Sequence, residues 1–209
     1  MKGLFSPESS IAQFLSTLFD LIVLNLLFLI CCMPIITIGA SATALLRQTL
    51  SIVRQEGASV RSFFSAFRRN FKHATIIWCI YLAISFLVYF DVQLLNRYSV
   101  PMGTFILALV LALFLISSMV LLYSLSMVTQ FKNTLKNYIV CALFLAFSHF
   151  PTTVCLLILH AAPVAVFLTS PKIFLEIFPL MVTIGFSTIS LISAFLLNRL
   201  FKDFLSSTH

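Results

Sequence analysis

Long apolar tracts without charged residues alternate with short polar segments along this 209-residue chain. Residues 21–46, 74–90, 98–131 and 177–198 contain no Asp, Glu, Lys or Arg, and residues 138–171 add only two histidines. A helix needs about 20 apolar residues to cross the hydrocarbon core. In lipid the backbone must satisfy its own hydrogen bonds, so such tracts become helices. Each tract therefore predicts one membrane span.

The fold class predicted from this pattern is all-α: a polytopic transmembrane helix bundle that forms a single membrane domain, residues 1–209. No loop is long enough to fold on its own, and the sequence contains no internal repeat. We expect five spans, at about 17–36, 74–94, 104–127, 138–161 and 174–197.

A cytoplasmic amphipathic segment, residues 41–72, is predicted between the first two spans. Pro34 breaks the helical hydrogen-bond ladder and Gly39 permits a turn, so span 1 should end there. Residues 39–55 are expected to form an interfacial or re-entrant helix rather than a sixth span. Burial of Arg47 near mid-membrane would cost about 2.5–3.5 kcal/mol, which disfavours a crossing.

The second half of this segment has an aromatic face and a basic face. A helix of this kind lies at an anionic headgroup surface or contacts a partner. The candidate residues for membrane-surface or partner docking are Arg47, Arg54, Arg61, Phe63, Phe64, Phe67, Arg68, Arg69, Phe71 and Lys72.

Composition supports the membrane class. Hydrophobic residues make up 61% of the chain and charged residues only 9%, whereas soluble domains carry about 25% charged residues. The net charge of +7 is concentrated in the first loop, which favours the lipid bilayer as a partner and argues against nucleic acid. The five cysteines lie in apolar tracts without a CxxC pair, so we interpret them as small buried hydrophobes.

The distribution of Lys and Arg predicts the orientation. The first loop, the third loop and the tail hold ten of these residues; the opposite side holds Lys2, Arg97 and Lys172. For an odd number of spans, the N-terminus is outside and the C-terminus lies in the cytoplasm. The ten residues on the predicted cytoplasmic side are Arg47, Arg54, Arg61, Arg68, Arg69, Lys72, Lys132, Lys136, Arg199 and Lys202.

Four polar residues within the predicted spans are candidates for chemistry: Asp20, Asn25, His149 and His160. Asp20 could bind a cation or proton, or simply lie at headgroup level. Asn25 is more typical of an interhelical hydrogen bond. The two histidines share a face of one continuous helix in the predicted span, about 16 Å apart, which is too far for one metal ion.

No catalytic, cofactor-binding or metal-binding residue is assigned. The chain has no Walker A, GxSxG, HExxH or GxGxxG motif, and catalysis needs a nucleophile with a base or a metal. We therefore expect no enzyme activity and no cofactor.

Three motifs resemble the YesL family of bacterial membrane proteins, found mainly in Firmicutes: GLFSP, DLIVLNLLFLICCMPIITIGASATAL and FFSAFRRNFKHATIIW. The resemblance implies a cytoplasmic-membrane protein encoded near carbohydrate ABC importers and sensor kinases. It also suggests that EGASVRSFFSAF is similar to the coupling loop that importer permeases present to an ATPase subunit.

The function predicted from these features is a non-enzymatic accessory protein that docks to a carbohydrate ABC importer or its sensor kinase. The alternative is a small transporter or channel, formed as a homo-oligomer, with Asp20, Asn25 and the two histidines in its path. An intramembrane enzyme is the third class.

The orientation can be tested by cysteine labelling. With the five native cysteines removed, a cysteine at Arg68 should react with a membrane-impermeant maleimide in inside-out vesicles and not in intact cells. A cysteine at Arg97 should show the reverse. Labelling of position 68 in intact cells would reverse the predicted orientation.

Overall fold

The computed structural model describes residues 10–97, 103–131 and 134–206, and every regular element within them is helical. Lys2, the GLFSP opening and Lys132 lie outside the described residues. The predicted all-α fold class is confirmed. The helices are α1 (Ser10–Cys32), α2 (Ile38–Val53), α3 (Val60–Arg97), α4 (Gly103–Gln130), α5 (Leu135–Ser148), α6 (Phe150–Thr169), α7 (Pro171–Leu180) and α8 (Phe186–Ser206), with a 3-10 turn (Ile35–Thr37) and a π-helical segment (Met181–Gly185).

Six helices of the described chain are long and apolar enough to cross a membrane, where the sequence predicted five spans. The additional helix is Ile35–Val53, which includes α2. Because the predicted orientation assumed an odd number of crossings, it stays a prediction.

Helix α2 lies inside the bundle. Ten of its sixteen residues are buried, and it packs against α1, α3, α4 and α8. This differs from the expected interfacial helix in one respect: protein, rather than headgroups, covers most of its surface. Small residues at its start allow the close approach, since Gly39 lies directly against Ala74 and Trp78 of α3.

Helices α2 and α3 form an antiparallel hairpin. Gly57, with φ of 76°, takes the left-handed conformation that glycine adopts without strain. Ser59 caps α3, accepting a hydrogen bond from the Ser62 backbone N–H at 3.2 Å. The buried Gln48 closes the hairpin, because its amide donates to the Ser62 hydroxyl at 3.0 Å and accepts from the Ser59 N–H at 3.2 Å.

Helix α3 is longer than a membrane is thick. Its 38 residues extend about 57 Å at 1.5 Å per residue, whereas the hydrocarbon core is about 30 Å thick. The first third of the helix, Val60–Lys72, carries a cluster of cations and is therefore the part that must project from the apolar layer. We call it the basic segment of α3. We call this end of the bundle the basic end.

The predicted fourth span is broken at His149, between α5 and α6. Pro151 has no N–H to continue the ladder, and its ring displaces the preceding turn. The Thr153 hydroxyl lies 2.9 Å from the Ala146 carbonyl oxygen, across the break. It is also 3.0 Å from the His149 carbonyl oxygen, which accepts a hydrogen bond from the Thr153 backbone N–H at 3.0 Å as well. The buried Tyr123 hydroxyl is 3.0 Å from the same Thr153 oxygen.

The α2–α3 crossing yields a stability prediction. A Cβ at position 39 would lie 2.6 Å from the Trp78 Cβ and 2.7 Å from the Ala74 carbonyl oxygen. Neither atom can rotate away, so Gly39→Ala should cost about 1–3 kcal/mol through overpacking, more than the about 1 kcal/mol that alanine contributes to helix propensity.

The measurement is the apparent Tm in a non-ionic detergent, with Gly103→Ala as the control. At Gly103 the nearest atom to a new Cβ is 4.0 Å away, so that variant should be as stable as the parent protein or more so. Equal Tm values for the two variants would contradict the close α2–α3 packing.

Candidate functional site

The buried Asn25 side chain joins α1 to the last membrane-spanning segment. Its Nδ2 donates to the carbonyl oxygens of Val182 at 2.6 Å and Met181 at 3.2 Å. Its Oδ1 accepts a hydrogen bond from the backbone N–H of Ser187 at 2.9 Å. Both donors of the amide and one lone pair of its oxygen are thus engaged, and the side chain is fully buried.

The reason for this contact lies in the π-helical segment Met181–Gly185 between α7 and α8. A π-bulge interrupts the regular i to i−4 ladder and shifts its hydrogen bonds. In apolar surroundings each unpaired backbone group costs several kcal/mol. Asn25 supplies partners for the groups at the bulge, so it holds α1 to the last span.

Asp20 lies five residues before Asn25 on α1 and is half-buried. Among the described residues its side chain makes no hydrogen bond and no ion pair. The structure therefore does not bring Asp20 together with Asn25, whose hydrogen bonds are directed to the π segment and to Ser187 of α8.

The two histidines do not share the face of one continuous helix, which corrects the sequence prediction. His149 occupies the break itself, with φ of −119° and ψ of 53°, so helical spacing cannot be counted across it. His160 lies in α6 and its Nδ1 is 2.9 Å from the Leu156 carbonyl oxygen. Within the described chain no three His, Cys, Asp or Glu residues form a metal site.

A cavity of about 230 Å³ lies within the bundle, lined by residues of α1, α2, α3, α4, α6 and α8. Most of the lining is aliphatic or aromatic. Its polar members are already paired: Ser126 and Ser193 donate to their own helices, Ser190 pairs with Thr49, and His160 pairs with Leu156. The cavity is therefore suited to apolar contents and gives a polar solute few free partners.

The basic segment of α3, Val60–Lys72, has one buried face and one exposed face. Phe63, Ala66 and Asn70 are buried against the bundle, spaced as one helical stripe. Arg61, Arg68 and Lys72 point outward and are exposed. Arg69 is exposed as well, so four of the nine exposed residues of Val60–Lys72 are cations and none is acidic.

Not all of the predicted docking residues lie on the exposed face. Phe63 is fully buried in a cluster with Leu24 and Leu45, so its assignment to a docking surface is corrected. Phe64 and Phe71 are exposed and Phe67 is half-buried. Spacing alone placed all four on one face, because Phe63 and Phe64 are adjacent and only packing selects between them.

The predicted basic residues of α2 have internal roles. Arg54 is half-buried; its Nε donates to Asn198 Oδ1 at 3.1 Å and its Nη2 to Gln130 Oε1 at 2.7 Å. It therefore ties the end of α2 to α4 and α8. Arg47, with Arg69 at the edge of the exposed face, lines a second pocket.

Sequence reasoning missed Gln48, Asn70 and Gln130. All three lie at helix positions whose neighbours one or two turns away are buried. A polar residue at a core-facing register is the signal that could have identified them.

A family model described as a protein of unknown function, DUF624, matches residues 21–92, about a third of the chain. The matched segment contains Asn25, α2 and the basic segment of α3. It overlaps the second motif of the YesL resemblance and includes all of the third. No curated protein and no solved structure shows significant similarity to the chain.

The Asn25 contact predicts a large effect of one substitution. Asn25→Leu should leave the Ser187 N–H and the carbonyls of Met181 and Val182 without their side-chain partner, at a cost of about 1–3 kcal/mol. We expect a lower apparent Tm in detergent and faster proteolysis of α1.

Thr183→Val is the control, because Thr183 lies in the same π segment but is exposed and donates only to Leu180 of its own helix, at 3.1 Å. Its Tm should be close to that of the parent protein. If Asn25→Leu were equally silent, the α1 contact would not be needed for stability.

Proposed function

We propose that this protein is a non-enzymatic, multi-pass membrane protein that docks to another membrane complex through the outward face of α3. The docking face comprises Arg61, Phe64, Ser65, Arg68, Phe71 and Lys72, all of them exposed. The observation that carries the proposal is this concentration of exposed cations and phenylalanines on one side of the basic segment of α3.

The docking face is held rigidly. Its helix continues without interruption into an apolar span, and the opposite side is anchored by Phe63, which is fully buried against α1 and α2. Rigid presentation reduces the ordering cost of association. A face that projects beyond the apolar layer is also accessible to a partner's soluble surface.

The chemistry of the face defines the partner. Three cations favour an acidic surface, and exposed aromatic side chains and arginines are typical of binding hot spots. The YesL resemblance indicates the class: a subunit of a carbohydrate ABC importer or its sensor kinase. Anionic lipid is the competing occupant, since a basic amphipathic helix also binds headgroups.

Transport by a homo-oligomer is the second candidate, and the interior gives it less support. Asn25 is fully hydrogen-bonded to backbone groups, and the polar groups that line the inner cavity are paired. Asp20 is the remaining polar candidate in α1. Solute flux into proteoliposomes of the pure protein, abolished by Asp20→Asn, would favour transport over docking.

The docking proposal predicts a charge-reversal effect. Affinity purification of the tagged protein from mild detergent should recover importer or kinase subunits, and the double variant Arg61→Glu, Arg68→Glu should reduce that recovery by about tenfold or more, because like charges then oppose the acidic partner. Quantitative mass spectrometry of the purified complex measures the recovery.

The matched control is Arg97→Glu, Lys172→Glu, which reverses the same number of exposed charges on α3 and α7 outside the docking face. Its recovery of partners should be unchanged, and both variants should elute as the parent protein does in size-exclusion chromatography. Equal recovery with both double variants would exclude the docking face. Loss of co-purified anionic lipid alone, without loss of a protein partner, would assign the face to lipid.

A further inference from the structure

A second pocket, which we call the basic pocket, lies at the basic end between α2, α3, α4 and α5. Its volume is about 370 Å³. It differs in chemistry from the apolar inner cavity, because most of its lining residues are polar or charged. The residues that line it are Arg47, Arg69, Asn70, His73, Val128, Thr129, Gln130, Phe131 and Tyr138.

Two buried amide nitrogens on this lining have no hydrogen-bond partner. Asn70 is 5% exposed, and its Nδ2 is unpaired. Gln130 Nε2 is also buried and unpaired. Gln130 cannot exchange its amide ends freely, because its Oε1 accepts the 2.7 Å hydrogen bond from Arg54 Nη2. A buried donor without a partner costs about 1–3 kcal/mol, so a ligand that accepts from both would relieve a penalty.

The charges around the pocket have one sign. Arg47 and Arg69 contribute two permanent cations, and no Asp or Glu lines the pocket within the described residues. Arginine side chains and amide donors are the groups that bind phosphate oxygens.

The end of α4 is the one feature that would oppose an anion, because the last carbonyls of a helix carry partial negative charge. One contact reduces this effect: the Tyr138 hydroxyl donates to the Phe131 carbonyl oxygen at 2.7 Å. The Thr129 hydroxyl donates its proton to Ser126 of its own helix at 2.6 Å, so it supplies no donor to an anion.

We propose that the basic pocket binds the phosphate group of an anionic ligand, with Arg47 and Arg69 pairing its charge and the Asn70 and Gln130 amides donating to its oxygens. The same chemistry could come from an anionic phospholipid headgroup or from a soluble phosphate. Basic pockets between membrane helices are known headgroup sites. This proposal does not depend on the docking proposal, because Arg47 and Asn70 lie outside the docking face.

Binding is tested on the purified full chain in non-ionic detergent, by native mass spectrometry and by the ligand-dependent shift of apparent Tm. The probes are phosphatidylglycerol, phosphatidylcholine, inorganic phosphate and glycerol 1-phosphate. We expect one tightly held phosphatidylglycerol or soluble phosphate per chain, and no Tm shift with zwitterionic phosphatidylcholine. Displacement of phosphatidylglycerol by glycerol 1-phosphate would assign the site to a soluble ligand, and lack of displacement to a lipid.

Variants separate a specific site from general attraction of anions to a basic protein. Arg47→Gln should weaken binding by about tenfold or more, since hydrogen bonds to charged groups are among the stronger ones. Asn70→Leu removes a donor without changing charge and should weaken binding several-fold.

The controls are Arg97→Gln and Lys172→Gln, which remove the same charge from exposed positions outside the basic pocket and the docking face and should leave affinity within about twofold. If one pocket variant fails to fold, the other still decides the question. The proposal is overturned if the parent protein binds neither phosphate source, or if the control variants lose as much affinity as the pocket variants.

Discussion

The pairing of backbone groups in apolar surroundings is the constraint on which this structure depends. Without water, every interrupted turn must find its partners within the protein. The most demanding case is the π segment Met181–Gly185, where one side chain, Asn25, contacts two carbonyl oxygens and one N–H from a helix about 160 positions away in sequence. One amide thereby sets the position of α1 against the last span.

The same constraint acts wherever a span is interrupted. At the end of α1, the Thr37 hydroxyl lies 2.6 Å from the Cys31 carbonyl oxygen, and the Trp78 indole donates to Ile35 at 2.8 Å. At the break beside Pro151, Thr153 has this role. The polar residues inside the bundle are therefore largely structural, which is why the interior offers little to a transported polar solute.

Function is accordingly more plausible at the basic end. There the hydrogen-bond balance is incomplete: two buried amide donors are unpaired, arginines line a pocket, and one face of α3 is exposed and cationic. The docking face and the basic pocket lie on different sides of the same helix. On these two proposals, a protein partner and a phosphate-bearing ligand bind at one end of the bundle without sharing residues.

The sequence by itself determined the all-α membrane class, the apolar tracts, the helix interruption after span 1 and the concentration of cations before span 2, because these follow from local composition and from Pro34. The turn expected at Gly39 was wrong, since Gly39 lies within α2 and packs against α3. Only the tertiary structure decided that α2 is buried, that Phe63 faces inward while Phe64 faces outward, and that Asn70 and Gln130 meet Arg47 in one pocket. The physical reason is that lipid and protein interior are equally apolar, so hydropathy cannot tell which face of a membrane helix packs against its neighbours. Contacts between residues far apart in sequence, such as Asn25 with the π segment, are fixed only when the helices are assembled.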